Sequence, residues 1–266
     1  MKAMPNSFGI PLVIFVAFSL SGCLKAIEHI RENPGEEIKV CRVEKILTDF
    51  HDGPVDGNII DFPDPFEVDF HYNAAGEPID MLSSFSLYNG QNNDYFRYDK
   101  LGRLKDFLIS YNKSGVIIWN RYSYPQKNQI RDSVFDYGGS LITDPNPEQE
   151  QFADIVTYQL DPKGRIVKAT LEFPSLPGST FVTNYVYDAR GNLVRPGITY
   201  DDKVNPFRTS STFMFIYQDY SVNNPSTTHA SAYNAYGLPT DITGFDVFGG
   251  EFGPSTIQYS CSMAWK

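Results

Sequence analysis

Tyr98-Asp99-Lys100-Leu101-Gly102-Arg103-Leu104 decides how the chain is read, because the unit returns as Tyr187-Asp188-Ala189-Arg190-Gly191-Asn192-Leu193. Looser copies are Tyr72-Asn73-Ala74-Ala75-Gly76, Tyr111-Asn112-Lys113-Ser114-Gly115, Leu160-Asp161-Pro162-Lys163-Gly164 and Tyr233-Asn234-Ala235-Tyr236-Gly237. Tyr124-Pro125-Gln126-Lys127-Asn128-Gln129-Ile130 fits if Asn128 stands for the glycine. An internal repeat names an architecture before any single residue is interpreted. Each copy has the chemistry of a hairpin tip. The aromatic residue ends a strand, and Asp or Asn accepts hydrogen bonds from the turn backbone. Glycine tolerates the positive φ that such loops require, and the following aliphatic residue restarts a strand.

The turn positions fall at 76, 102, 128, 164 and 191, with secondary turn signals between them at Asn89-Gly90, Gly115 and Gly138-Gly139. A turn about every 13 residues predicts strands of roughly 8 to 10 residues that pair with their sequence neighbours. Thr212–Tyr220 reads as one such strand, with Phe213, Phe215 and Tyr217 on one face. Phe181–Tyr187 reads as another, with Phe181, Tyr185 and Tyr187 opposite Val182 and Val186. The expected fold is all-β: an antiparallel up-and-down meander of roughly 13–15 strands, rolled or closed into a barrel or shell, because an open sheet of that size curls, splits or closes. A strongly curved open sheet is the second choice. A propeller is third, since its blades need periods of about 40 to 50 residues.

The N-terminus reads as a targeting segment. Lys2 precedes the apolar run Ile10–Phe18, which is shorter than the roughly 20 residues that span a bilayer. It ends in Leu20-Ser21-Gly22-Cys23, which resembles the lipobox of bacterial lipoproteins: an aliphatic residue, two small residues, then the cysteine that is acylated. The expected organisation is a signal peptide over 1–22, a tether over 23–40 lipidated at Cys23, and one β domain over 41–266. A short amphipathic helix around Ile27, Ile30 and Arg31 is the alternative for the tether. The resemblance implies attachment to the membrane through the lipid, in the bacterial cell envelope at the outer membrane.

The formal net charge is -10, and an acidic surface repels phosphate backbones, so nucleic acid is not an expected partner. Apart from Cys23 the cysteines are Cys41 and Cys261, near the two ends of the domain. If the first and last strands are neighbours, a disulfide staples the domain, worth ~5 kcal/mol in the chain-entropy model. Otherwise the two thiols stand in separate strands.

The hairpin units resemble the YD repeat of Rhs-type proteins, in which Tyr-Asp-x-x-Gly-Arg-Leu hairpins wind into a β shell. Tyr98–Leu104 matches fully, Tyr187–Leu193 departs at Asn192, and Leu160–Ile166 loses the tyrosine. With Cys41–Ile46 and Phe96–Leu104, the domain is more similar to short YD-like lipoproteins of Bacteroidota, whose function is unassigned. The resemblance implies a β shell. The chain is too short to encapsulate a toxin domain.

Reactive constellations are few. His29, His51, His71 and His229 lack metal-ligand spacing, and there is no Gly-x-Ser-x-Gly elbow or P-loop. His71 reads as a surface or packing residue. Acidic clusters at Asp49, Asp52 and Asp56, at Asp61, Asp64, Glu67 and Asp69, and at Asp144, Glu148 and Glu150 read as solvated loop charge rather than cation sites. Arg103 and Arg165 read as structural. No cofactor, metal or catalytic residue is expected. The expected function is a non-catalytic envelope lipoprotein whose β domain binds or scaffolds an envelope protein or glycan. The alternatives are an envelope polysaccharide hydrolase using paired carboxylates and a transmembrane β-barrel.

Overall fold

Five of the repeat units fold into one kind of turn. Asn73, Asp99, Asp161, Asp188 and Asn234 each donate their backbone N–H to the carbonyl four residues on, and each accepts at its own carbonyl from the repeat glycine. Oδ1 of Asp99 accepts from the Leu101 and Arg103 amides at 2.8 and 3.0 Å. Asp161, Asn73 and Asn234 repeat that fork, and Asp188 keeps its bond to the Asn192 amide. The glycines carry the left-handed backbone, with φ from 72° at Gly102 to 89° at Gly76. Tyr124–Ile130 departs from the pattern. Gln126 pairs with Gln129, so Lys127 and Asn128 alone make the turn, and Asn128 does not adopt positive φ. Pro125 occupies the position where the other copies carry the acceptor side chain, so nothing holds the longer loop.

These turns come from a computed structural model that describes residues 25–48, 54–55, 58–59, 66–84, 93–111, 115–137, 154–243 and 254–262. Outside the described residues lie the leader, Cys23, the turn signals at Asn89-Gly90 and Gly138-Gly139, and Asp49, Asp52, Asp56, Asp61, Asp64, Asp144, Glu148 and Glu150.

The strands are β1 (Cys41–Thr48), β2 (Pro54–Val55), β3 (Asn58–Ile59), β4 (Phe66–Tyr72), β5 (Pro78–Ser83), β6 (Asn93–Tyr98), β7 (Leu104–Tyr111), β8 (Gly115–Gln126), β9 (Gln129–Asp136), β10 (Asp154–Leu160), β11 (Ile166–Glu172), β12 (Thr180–Asn184), β13 (Tyr200–Val204), β14 (Asn223–Pro225), β15 (Ala232–Tyr233), β16 (Pro239–Ile242) and β17 (Ser255–Cys261). Thirteen of them form one antiparallel sheet in the order β12-β11-β10-β9-β8-β7-β6-β5-β4-β1-β17-β16-β15. β13–β14 and β2–β3 are separate ribbons. The all-β meander is therefore the fold, with two departures. β1 stands between β4 and β17, and among the described residues the sheet does not close: β12 and β15 are its two edges.

The repeat also bends the sheet. Where β4, β6 and β10 enter their turns, the register slips at His71/Tyr72, Arg97/Tyr98 and Gln159/Leu160. One extra residue on each returning strand is a bulge, and a bulge sharpens local twist. Repeated at three hairpins, such bulges favour a rolled over a flat sheet.

The core that fills this curve comes from residues 205–222, where a strand was expected over 212–220. Asn205 and Pro206 open a 3-10 turn over Pro206–Thr209, Ser210 caps the next element, and α2 (Ser211–Ile216) follows. A helix turns Phe213 and Phe215 to different strands of the curved sheet. Phe213 meets Phe70 and Phe96 edge-on, at 5.8 and 6.2 Å between ring centroids. Phe215 meets Tyr122 and Tyr158, at 5.1 and 5.3 Å. An extended segment would have aimed both at one wall. The Tyr98 hydroxyl reaches Thr212 Oγ1 at 2.9 Å, and the Gln218 amide donates to the Tyr158 hydroxyl.

Residues 25–40, expected as a tether, pack onto the domain. α1 (residues 25–32) and the segment after it bury Ala26, Ile27, Ile30, Ile38 and Val40 against Val204, Val222 and Leu238. The apolar residues of this polar stretch fall on one face, which is enough to dock a helix on a preformed surface.

Candidate functional site

The turn end of the sheet is built by the repeat. Tyr72, Tyr98, Tyr124, Tyr187 and Tyr259 donate their hydroxyls to the carbonyls of Val43, Pro78, Leu104, Ile166 and Pro239, at 2.6 to 3.0 Å. All the acceptors but Val43 are the first strand residue after an earlier turn, so each hydroxyl ties one hairpin to another. Burial raises the pKa of these phenols, that of Tyr124 to about 12, which keeps them protonated donors. Arg103 binds Asp99 at 2.7 Å and lies 4.1 Å above the Tyr124 ring. Arg165 binds Asp161 at 2.8 Å and lies 4.0 Å above Tyr187. Arg42 covers Tyr72 at 5.3 Å. Thus Tyr98, Asp99, Gly102, Asp161, Gly164, Tyr187, Asp188 and Gly191 are engaged in holding the end of the sheet.

A strap over residues 33–40 runs past these turns. Gly35 sits so close to the Asp161–Arg165 turn that a Cβ on it would fall 1.8 Å from the Lys163 carbonyl oxygen. Arg208, fully buried, holds the strap from inside. Its guanidinium donates to the carbonyls of Pro34 at 2.7 Å, Glu36 at 2.5 Å, Asn33 at 3.4 Å and Tyr220 at 3.2 Å. Burial pulls its pKa down to about 9, against the pull of Tyr220 and Asp219. The strap ends at Cys41, which pairs with Cys261 in register and is joined to it by a disulfide.

Between strap, turns and α2 lies a groove of about 900 Å³. Its floor carries Tyr98, Tyr124 and Phe215, and its rim carries Glu37, Lys39, Arg42, Glu77 and Arg103. Glu37 accepts from the Ser211 amide at 2.7 Å, and Glu77 accepts from Asn73 Nδ2 at 2.7 Å. Each groove carboxylate thus has one oxygen held by a neighbouring donor. Arg103 is neutralised by Asp99. Among the described residues, Lys39 and Arg42 enter no ion pair.

The remaining candidates are scattered. His71 Nδ1 meets Asp80 at 2.5 Å on the surface. Lys45 lies between Glu67 and Asp69 at 2.5 and 3.2 Å, so two of the acidic residues are taken by an ammonium. No group of three metal-ligating side chains occurs among the described residues. Sequence reasoning missed Arg208, Glu37 and Arg42. The Asn205-Pro206 pair that starts the Arg208 segment is a helix-start signal; nothing in the sequence marks Glu37 or Arg42.

No protein-family model and no curated protein matches the chain. Among solved structures it is similar to one described as a porin-like protein from Bacteroides uniformis ATCC 8492, at 10% identity and a TM-score of 0.32. That match covers 83% of this chain and 96% of the other. A likeness of this degree carries nothing about function.

Proposed function

We propose that the chain is a non-catalytic, lipid-anchored protein of the bacterial cell envelope, held at the outer membrane through Cys23, whose curved sheet is a binding module for an envelope glycan or protein. The groove of about 900 Å³ supports this reading most directly. It has the size of a ligand site, an aromatic floor and a few polar groups at its rim. Its carboxylates are engaged with Ser211 and Asn73, which favours recognition over acid–base chemistry. Lys39 and Arg42 supply the charge that a ligand can use.

The test is binding of the full-length chain to envelope polysaccharide fractions and envelope extracts, with new reducing ends measured in parallel. Saturable binding that falls about ten-fold or more in Arg42→Ala with Lys39→Ala, without release of reducing ends, is the expected result. Hydrolysis, or binding indifferent to both substitutions, would overturn the reading. Lipidation is tested separately: labelled fatty acid should enter the wild type and not Cys23→Ala.

A further inference from the structure

Natural sheet edges are guarded by charge, proline, brevity or cover. β15 is guarded: it has two residues, the Tyr233 hydroxyl reaches Asp201 Oδ2 at 3.1 Å, and Lys203 lies over the Tyr233 ring. β12 is not. Every residue of Thr180–Asn184 is exposed, and residues 173–187 contain no charged side chain. Phe181 is 65% exposed on one face, Val182 is 51% exposed on the other, and Leu176, Val186 and Val194 extend the apolar surface.

The free edge has a definite length. The Tyr185 amide donates to the Val167 carbonyl, so odd-numbered residues of β12 face β11. Even-numbered residues therefore turn their main-chain groups outward. Val186 is already used, since its carbonyl accepts from the Val194 amide. Among the described residues, the outward N–H and C=O groups of Thr180, Val182 and Asn184 are left at the sheet edge.

We propose that β12 is an interaction surface for a second copy of this chain, pairing antiparallel with its own counterpart about a two-fold axis at Val182. The sequence favours a like partner. Thr-Phe-Val-Thr-Asn read against itself sets Thr180 opposite Asn184 and Phe181 opposite Thr183, with no charge to repel or be left unmatched. The guarded β15 edge does not suit head-to-tail growth, and an isologous contact closes on itself. Two curved sheets then become one continuous sheet. A seam this short gives a weak, reversible dimer.

Sedimentation equilibrium of the full-length chain over about a hundred-fold concentration range should show a monomer–dimer equilibrium. Val182→Pro removes one outward N–H without touching the β11 ladder. It should weaken the dimer about ten-fold or more, the equivalent of ~1.4 kcal/mol, with unchanged circular dichroism. Because a proline variant can misfold, cysteine cross-linking is the second arm. Val182→Cys should form a covalent dimer, since hydrogen-bonded antiparallel partners lie ~5.5 Å apart, within disulfide range. Thr180→Cys should not, because it would sit ~13 Å from its counterpart. A monomer at the highest soluble concentration, oligomers larger than two, or equal cross-linking at both positions would overturn the proposal.

Discussion

Asp132→Asn isolates the cost of one buried carboxyl. Asp132 is 2% exposed on the core face of β9, opposite Tyr122. Oδ2 accepts from Asn120 Nδ2 at 2.9 Å, and Oδ1 has no hydrogen-bond partner among the described residues. Burial raises its pKa from 3.8 to about 7, and the Asn120 bond opposes that rise only in part. A folded pKa above the unfolded value means that the folded state holds a proton the unfolded state has released. Stability is therefore lost as pH rises from about 4 to about 7, and the loss levels off above that. At ~1.36 kcal/mol per pKa unit, the three-unit rise corresponds to ~4 kcal/mol. Asparagine keeps an oxygen for Asn120 and carries no charge at any pH. Urea unfolding at pH about 4 and about 8 is the assay. The wild type should lose stability between the two, and Asp132→Asn should lose about 4 kcal/mol less. Asp94, raised to about 8 by burial, supplies a residual slope of the same sign in both proteins. Equal slopes in wild type and variant would refute the assignment.

The repeat turns make further tests. Gly76→Ala should cost ~1–2 kcal/mol from φ of 89° alone, as its Cβ meets nothing within 4 Å. Gly102→Ala should cost a similar amount, because the Glu77 Oε1 that its Cβ would approach to 2.9 Å is the movable end of a side chain; chemical denaturation compares the two. Tyr98→Phe should cost ~1–2 kcal/mol, read the same way, through the lost bonds to Pro78 and Thr212. Gly35→Ala should lift the strap from the Lys163 carbonyl, seen as faster amide exchange across residues 33–40 with the meander unchanged. Replacing both Cys41 and Cys261 by serine should lower stability by up to ~5 kcal/mol in the chain-entropy model, while reductant should leave that variant unaffected.

The hairpins were legible because their information is local: Asp99 and Gly102 contain both the acceptor and the backbone conformation that close a turn. Pro125 shows the limit of the pattern, since the unit at Tyr124 keeps its tyrosine bond but not its turn. The order of the sheet needed more than spacing, for only the Cys41–Cys261 pair suggested that the ends of the domain are neighbours. Phe213, Phe215 and Tyr217 alternate as a strand does, yet the first two lie in a short helix and Tyr217 at its C-cap, because the shape of the curve they fill is set by strands far away in sequence. The groove was illegible for the same reason. Glu37, Arg42 and the Asp99–Arg103 turn meet only after the strap crosses the turns, and Arg208, which holds it there, has carbonyl partners that leave no trace in side-chain chemistry.

The position of β1 has a consequence for how the molecule is made. From β4 to β12 every described strand pairs with its described neighbour in the chain, so this stretch is rich in local contacts and can zip up as it emerges. β1 waits for a strand whose cysteine lies 220 residues away. Until Ser255–Cys261 arrives, an unfinished chain presents a bare β1 edge and a free Cys41 thiol. In a Cys23→Ala chain, a thiol-reactive probe in a pulse-chase would then time completion of the fold, and such a chain cut short before Cys261 would stay reactive throughout.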